Sequence, residues 1–208
     1  YANGTNLVEI SQNGADLSFQ LGNDILTVDP TSDYTMVNPW DSWHHWAFVY
    51  DNSAQLMQIF LDDKLIGSNS NVVYNPSFQG KLTIGDGELA GNIHELRIWE
   101  DDRSLGEVVA NMSATLSGSE SGIYGYWPLD EGTGQLAIDK VRSRNATVNA
   151  DWLLLPGGFS WEFDGTNYLT INSTNVLIDQ ETDMTIEFWF NGNLTGNEQG
   201  LFGNGYGD

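Results

Sequence analysis

Two carboxylates two positions apart form the pattern in this sequence that lies closest to a catalytic arrangement. Glu162 and Asp164 fall in a strand-like segment, so their side chains share one of its faces. Glycoside hydrolysis uses two suitably spaced carboxyl groups, one as the acid and the other as the nucleophile or base. Such a pair arises often by chance in a chain with 29 acidic residues. The pair alone therefore predicts no enzyme.

Three histidines form the second group of residues that can do chemistry, because histidine serves in metal sites and in catalytic triads. His44 and His45 are adjacent in a strand-like segment, so they point to opposite faces of it, and His94 lies in another segment. A zinc site needs three or four converging ligands, and the chain has no cysteine to supply a thiolate. We therefore expect structural roles for the histidines.

The charge of the chain excludes several classes of function. Twenty-nine acidic residues against seven basic ones give a formal net charge of −22. Nucleic-acid affinity comes largely from Lys and Arg on phosphates, so we expect no nucleic-acid partner. The same charge disfavours anionic membrane surfaces, and no apolar run approaches the ~20 residues of a membrane span. The acidity favours either solubility in an external medium or the binding of Ca²⁺, which prefers oxygen ligands.

Short β-patterned runs, separated by clusters of Gly, Asn and Asp, indicate an all-β fold. The clearest strands are 43–51 and 184–190, in which apolar and aromatic residues occupy both faces. One short helix is expected at 104–114, because Ser104 and Glu107 have the spacing of a capping box. These elements predict an antiparallel β-sandwich with a single short helix.

Motifs over most of the chain follow the order and spacing of a known family. The first set is Trp43-x-His45-Trp-Ala47 with Asp51, Ile59-Phe-Leu-Asp62, Leu82-Thr-Ile-Gly85 and Gly91-Asn-Ile-His-Glu-Leu-Arg-Ile-Trp99, and the second is Tyr126-Trp127, Phe163-Asp-Gly165 and Met184-Thr-Ile-Glu-Phe-Trp189. These motifs resemble the laminin-G-like branch of the concanavalin A-like lectin/glucanase superfamily, whose fold is a jelly roll. The sequence departs from the family at Asp63, where Gly is usual, and at His94, where Asp is usual.

The order of the motifs is unusual, because those that close such a domain precede those that open it. Residues 1–116 resemble the C-terminal part of one sandwich, 117–121 form a connection, and 122–208 resemble the N-terminal part of a second sandwich. We expect two partial sandwiches from a tandem array. The alternative is that both parts build one circularly permuted sandwich.

The resemblance also implies sites. The family often carries one structural Ca²⁺ near its opening strands, and the matching acidic positions are Asp139 and Asp164, with Glu95 on the closing strand. Glucanases of the superfamily use a Glu-x-Asp-x-x-Glu strand, of which Glu162 and Asp164 are present while position 167 is Asn. The resemblance therefore predicts a calcium ligand set and no hydrolase.

Four aromatic residues in or near predicted loops are candidates for ligand binding, because exposed aromatic rings beside polar groups suit glycans. They are Trp40, Trp43, Tyr74 and Trp152. Packing in the core or between domains is the alternative explanation for each.

Together these patterns predict a non-catalytic adhesion module of the extracellular space or cell surface. Its partners would be a glycan or a surface protein, together with neighbouring laminin-G-like repeats of an adhesin or filament, without membrane insertion. The alternatives are a purely structural spacer repeat and, less favoured, a glycoside hydrolase of the same fold.

Overall fold

The computed structural model describes residues 8–33, 38–73, 78–79, 81–85, 87–149, 151–155, 158–171, 176–178, 183–192 and 197–204. Eighteen strands and two short helices lie in this part of the chain. In the first half they are β1 (Val8–Asn13), β2 (Asp16–Leu21), β3 (Asp24–Val28), α1 (Pro30–Asp33), β4 (His44–Asp51), β5 (Leu56–Leu61), β6 (Lys64–Asn69), β7 (Phe78–Gln79), β8 (Leu82–Ile84), β9 (Ala90–Trp99) and α2 (Leu105–Asn111). In the second half they are β10 (Ile123–Trp127), β11 (Leu136–Ala137), β12 (Ala146–Val148), β13 (Asp151–Leu155), β14 (Gly158–Asp164), β15 (Leu169–Ile171), β16 (Val176–Ile178), β17 (Met184–Gly192) and β18 (Glu198–Gly203).

The strands form two eight-stranded antiparallel sheets that pack face to face. Sheet A has the order β11-β12-β15-β8-β18-β1-β2-β3. Sheet B has the order β13-β14-β9-β17-β4-β5-β6, and β10 also pairs with β9. A separate two-stranded pair joins β16 to β7. The predicted fold class, an all-β antiparallel sandwich with minimal helix, is confirmed.

Strands from the two predicted segments alternate within both sheets. In sheet B, β17 lies between β9 and β4 and pairs with each of them. In sheet A, β18 lies between β8 and β1. Segments 1–116 and 122–208 are therefore not separate bodies in this structure, because each supplies strands that complete the sheets of the other. The connection 117–121 is an ordered turn in which the Glu120 carboxylate accepts from the N–H and hydroxyl of Ser117.

The alternation of residues along β17 shows why the sheets pack as they do. Met184, Ile186 and Phe188 face sheet A and are buried in the main core. Phe188 stacks on Phe48 of β4, whose ring in turn meets the edge of Phe19 from sheet A. Aromatic pairs of this geometry contribute about 0.5–1.5 kcal/mol beyond the area that they bury. The core is therefore built mainly from the alternate residues of long central strands.

Helix α2 covers the outer face of sheet B. Its N-terminus has the predicted capping box, in which the Ser104 hydroxyl accepts from the Glu107 N–H while the Glu107 carboxylate accepts from the Ser104 N–H. Val108, which is fully buried, packs against Ala47 and Val49 of β4. The helix thus closes the face of sheet B that points away from the main core. Within the described residues, no helix has the length and apolar character needed to span a membrane.

Candidate functional site

A continuous row of mostly polar side chains crosses sheet A on the face that points away from the core; this face is called the polar face below. The register of seven successive strand pairs places these residues side by side: Leu136, Thr147, Thr170, Thr83, Gly203, Glu9, Gln20 and Ile25. A second row follows on β18, β1, β2 and β3, and consists of Gly200, Ser11, Ser18 and Thr27. Hydroxyl, amide and carboxylate groups therefore lie side by side on most strands of the sheet, between Leu136 and Ile25 at its two edges.

Two hydroxyl groups at the centre of the polar face have no hydrogen-bond partner. Thr83 and Thr170 lie directly opposite each other on β8 and β15. They are 3% and 7% exposed, and within the described residues both Oγ1 atoms are buried and unpaired. Buried polar groups in folded proteins nearly always have a partner, whether protein or water. These two hydroxyls therefore retain unused hydrogen-bonding capacity within the described residues.

Strand β18 contributes glycine to both rows of the polar face. Gly203 lies between Thr83 and Glu9, and Gly200 lies opposite Ser11. Strand β18 therefore adds no side chain to the polar face at these two positions, and both glycines are buried. The ends of the first row are more open, since Leu136 is 53% exposed.

Part of the outer face of sheet B is covered by α2 and a buried ionic network. The Arg97 guanidinium, fully buried, donates to the carbonyl oxygens of Asn111 (2.9 Å) and Ala114 (2.7 Å). It also contacts the Glu187 carboxylate, whose Oε1 accepts from Trp99 Nε1 at 2.8 Å. These bonds satisfy carbonyls at the end of α2 and fasten the following segment to the sheet.

His45 and Glu187 are the two titratable groups most strongly affected by this closure. Burial and the nearby Arg97 charge lower the pKa of His45 to about 3. Burial raises the pKa of Glu187, against the opposing effect of Arg97. His45 Nε2 lies 3.6 Å from Glu187 Oε2, and the ring packs edge-to-face on Trp189. His45 is thus a neutral, buried side chain, and within the described residues neither of its ring nitrogens has a hydrogen-bond partner.

Asp139, the first predicted calcium ligand, is engaged by the protein itself. Its Oδ1 accepts from the N–H groups of Tyr126 and Val141, and its Oδ2 accepts from those of Arg142 and Arg144. The Arg144 Nε lies 3.5 Å from the same Oδ2. This set of donors and a guanidinium present positive charge to both oxygens, so the carboxylate does not fit the role of a calcium ligand.

Glu95 and Asp164, the other predicted ligands, lie on different strands. Glu95 accepts from Arg97 Nη2 at 2.8 Å and from the Tyr126 hydroxyl at 3.0 Å. Asp164 is exposed at the end of β14, where bonds from the Thr166 hydroxyl and N–H lower its pKa. No three His, Asp or Glu side chains of the described residues form a group that could hold a metal. Asp139 and Glu95 thus do not fit a calcium ligand set, and Asp164 alone does not make one.

Two of the predicted ligand-binding aromatics lie close together but are buried to different degrees. Trp40 is fully buried and stacks on Trp46 with 5.1 Å between the ring centroids, so it belongs to the core. Trp43 is half-buried. Tyr74 lies outside the described residues. The loop before β4 therefore presents only Trp43 of this pair to solvent.

Trp152 is half-buried on β13, the terminal strand of sheet B. Its ring packs on Trp161 of the neighbouring strand, with 3.9 Å between the ring centroids. Its Nε1 donates to the Gly134 carbonyl at 3.1 Å. The polar end of this indole is thus already used within the protein, and the ring fixes the edge of the sheet to the loop before β11.

The partial glucanase pattern has a structural explanation. Glu162 and Asp164 are both exposed on β14, whereas Asn167 is buried and stabilises the turn after the strand. Asn167 Oδ1 accepts from the Asp164 N–H, and its Nδ2 donates to the Glu162 carbonyl. The residue that replaces the third carboxylate thus closes a turn.

The polar face was not predicted residue by residue, because its rows depend on strand register. The available signal was the alternation of Ser, Thr and Gln with apolar residues in single strands, as in β2, where Ser18 and Gln20 alternate with core residues.

Comparison with protein-family models gives one match. Residues 2–109 match the Laminin_G_3 model, described as concanavalin A-like lectin/glucanases superfamily. A comparison with curated proteins gave no significant match.

Proposed function

Because the chain belongs to the concanavalin A-like lectin/glucanase superfamily, we propose that it is an extracellular or cell-surface adhesion module that binds a glycan on its polar face. The observation that carries this proposal is the pair of unpartnered hydroxyls of Thr83 and Thr170 at the centre of that face. Sugar hydroxyls both donate and accept hydrogen bonds, so they complement a row of hydroxyl, amide and carboxylate groups.

The net charge narrows the class of glycan. A chain with a formal charge of −22, and with Glu9 in the polar row itself, repels uronic acids and sulfated sugars. Neutral oligosaccharides have no such penalty, and Gly203 adds no side chain to the row beside Thr83. The proposed ligand is therefore a neutral glycan, recognised chiefly by hydrogen bonds.

Glycoside hydrolysis is not part of the proposed function. Glu162 and Asp164 lie on β14 of sheet B, away from the polar face, and Asn167 occupies the third position of the motif. The module would therefore bind sugars without cleaving them. Release of reducing sugar from β-glucans, abolished by Glu162→Gln, would contradict this part of the proposal.

A panel of immobilised neutral glycans, followed by calorimetric titration of the hits, tests the proposed site. We expect binding that falls at least tenfold in Thr83→Val and in Thr170→Val, because valine keeps the shape of threonine and removes the hydroxyl. Thr166→Val is the matched control, since Thr166 is exposed beside Asp164 in the turn after β14. Unchanged affinity in both Thr83→Val and Thr170→Val would overturn the assignment of the polar face.

A spacer repeat that contacts only its neighbours is the alternative, and one observation favours it. Within the described residues, the terminal strand β13 pairs only with β14, and its Leu154 is 71% exposed. An open apolar strand edge can pair with another chain. Association of the protein at micromolar concentration in sedimentation experiments, with no retention on any glycan, would favour the spacer over the adhesion module.

A further inference from the structure

Three side chains at the start of β4 and in the β5–β6 turn form a continuous hydrogen-bonded chain. Ser42 Oγ lies 2.9 Å from His44 Nε2, and His44 Nδ1 lies 2.7 Å from Asp62 Oδ2. A carboxylate only accepts hydrogen bonds, so Nδ1 of a neutral His44 carries the proton and Nε2 is the acceptor. Ser42 therefore donates its hydroxyl hydrogen to Nε2. The His44 tautomer with its proton on Nδ1 is the one that activates a serine as a nucleophile.

The Asp62 carboxylate is also held in place by the backbone of His45. Asp62 Oδ1 accepts from the His45 N–H at 2.9 Å, and the Asp62 N–H donates to the His45 carbonyl at 2.8 Å. Asp62 has a φ of 52°, a left-handed conformation that is uncommon for a residue with a side chain. The two-residue hairpin turn Asp62-Asp63 between β5 and β6 accounts for this conformation. The turn thus directs the carboxylate towards β4.

The group formed by Ser42, His44 and Asp62 is partly exposed to solvent, and two backbone N–H groups of the same segment have no acceptor among the described residues. The His44 and Asp62 side chains are 13% and 22% exposed, and Ser42 is half-buried. In the described part of the chain, the N–H groups of Ser42 and Trp43 donate to no acceptor. Amide N–H groups near a nucleophile can stabilise the negative oxygen of a tetrahedral intermediate.

We propose that Ser42, His44 and Asp62 form a nucleophilic triad that transfers acyl groups from carboxylic esters. Ser42 Oγ bonds to the carbonyl carbon while its proton passes to His44 Nε2. The C–O bond to the alcohol then breaks, and the alcohol leaves with the proton from His44. Water attacks the acyl-serine, releases the carboxylic acid and returns a proton to Ser42. Asp62 holds the imidazole tautomer throughout.

This activity is independent of glycan binding, because the triad lies on sheet B and its turn, while the proposed glycan site lies on sheet A. Failure of one proposal therefore leaves the other unaffected. From the sequence we expected a structural role for His44, because Asp62 lies 18 positions further on and nothing indicated that its turn would return to the start of β4.

Labelling of the folded protein with a fluorophosphonate tests the nucleophile directly, because the serine oxygen displaces fluoride from phosphorus. We expect peptide mass spectrometry of the native chain to find the label on Ser42. Hydrolysis of p-nitrophenyl acetate should fall at least tenfold in Ser42→Ala and in Asp62→Asn, since the carboxamide disturbs the His44 tautomer. Ser53→Ala is the matched control: the Ser53 hydroxyl donates to Asp51 with no imidazole beside it.

Site mapping keeps the proposal testable even if a variant does not fold, because it uses the native chain. No label at Ser42 in the folded protein would overturn the proposal. So would ester hydrolysis by a folded Ser42→Ala variant at the native rate, because the three residues would then only brace the turn.

Discussion

At the level of single residues, three carboxylates of the described residues are paired with donors from the protein. Asp139 receives four backbone N–H groups, and Glu95 and Glu187 share the guanidinium of Arg97. Burying a charge is costly unless it is paired and hydrogen-bonded. The loop 139–144 and the segment after α2 are therefore held by side chains whose removal should be strongly destabilising.

The hydrogen bonds to Asp139 lead to a prediction. It distinguishes a carboxylate whose partners are all protein donors from one that binds calcium. Asp139→Asn should lower the free energy of unfolding by roughly 3 kcal/mol, because it weakens several hydrogen bonds to a buried charge. The loss should be the same in EDTA and in millimolar Ca²⁺, as measured by urea denaturation. A loss seen only with Ca²⁺ present would show that Asp139 binds the ion.

His45 should make the stability of the protein depend on pH in the acid range. Its pKa falls from 6.5 to about 3 on folding, so between these values the unfolded chain binds the extra proton. Stability is therefore full above pH 6.5 and is lost as the pH falls towards 3, by up to about 1.4 kcal/mol per unit. Glu187 acts in the opposite direction, since its raised pKa favours the folded state as the carboxyl gains a proton.

The contribution of His45 can be isolated by comparing two titrations of stability. The native chain and His45→Gln would be unfolded in urea at half-unit steps from pH 4 to pH 7. We expect the slope of unfolding free energy against pH to be shallower in the variant by close to one proton. Parallel slopes would mean that His45 is not held neutral beneath α2.

At the level of elements, helix α2 is short and depends on its ends and its contacts. Its N-terminus has a capping box, and only Val108 of its residues is buried. At its C-terminus the Asn111 carbonyl accepts from Arg97, while Asn111 Nδ2 donates to the Glu107 carbonyl. Isolated helices of this length are marginal in water. The helix therefore exists because sheet B supplies both an apolar surface and donors for its carbonyls.

Two glycines, one in α2 and one in β9, should respond oppositely to alanine. Gly106 is exposed within α2, and an added Cβ would meet only Ser104 Oγ at 4.0 Å. Gly106→Ala should raise the unfolding free energy by about 0.5–1 kcal/mol. Gly91, with φ of 150°, would place a Cβ 2.6 Å from the Asn191 carbonyl oxygen, so Gly91→Ala should be destabilising. Thermal unfolding of both variants checks this, and equal shifts would contradict it.

The sequence predicted strands better than it predicted their partners. The alternation in β17 and the aromatic run of β4 have the faces that were expected. Strand β13 was missed, because Asp151–Leu155 has no alternation and its edge position depends on pairing with β14. The candidate site was harder to predict than the strands. Thr83 and Thr170 are 87 positions apart in the sequence, and only the register of β8 against β15 makes them neighbours.

At the level of the whole molecule, repulsion between carboxylates lowers the stability of the folded state. Asp51 and Asp102 are in hydrogen-bond contact, and the charge of Asp183 acts on Asp102. Burial and the charges of Asp183 and Asp51 raise the pKa of Asp102. A carboxylate whose pKa rises on folding destabilises the folded state above that pKa and ceases to do so when it is protonated.

Neutralising this carboxylate should therefore stabilise the protein near neutral pH. We expect Asp102→Asn to raise the unfolding free energy by about 0.5 kcal/mol at pH 7, a modest figure because the side chain is exposed. The gain should shrink in 0.5 M NaCl and vanish near pH 3. Calorimetric scans at two salt concentrations would measure it, and a gain that persists at pH 3 would point to another cause.

The placement of β17 and β18 has a consequence for how the protein is made. Both strands occupy interior positions of their sheets, yet the ribosome synthesises them after the strands that flank them. During translation the edges of β9 and β4 that pair with β17 stay unpaired until β17 emerges. The same holds for the edges of β8 and β1 that pair with β18. The interval is on the order of ten seconds at usual synthesis rates. Neither sheet can be completed before then, so the nascent chain would depend on its high negative charge, or on a chaperone, to avoid premature pairing with other chains.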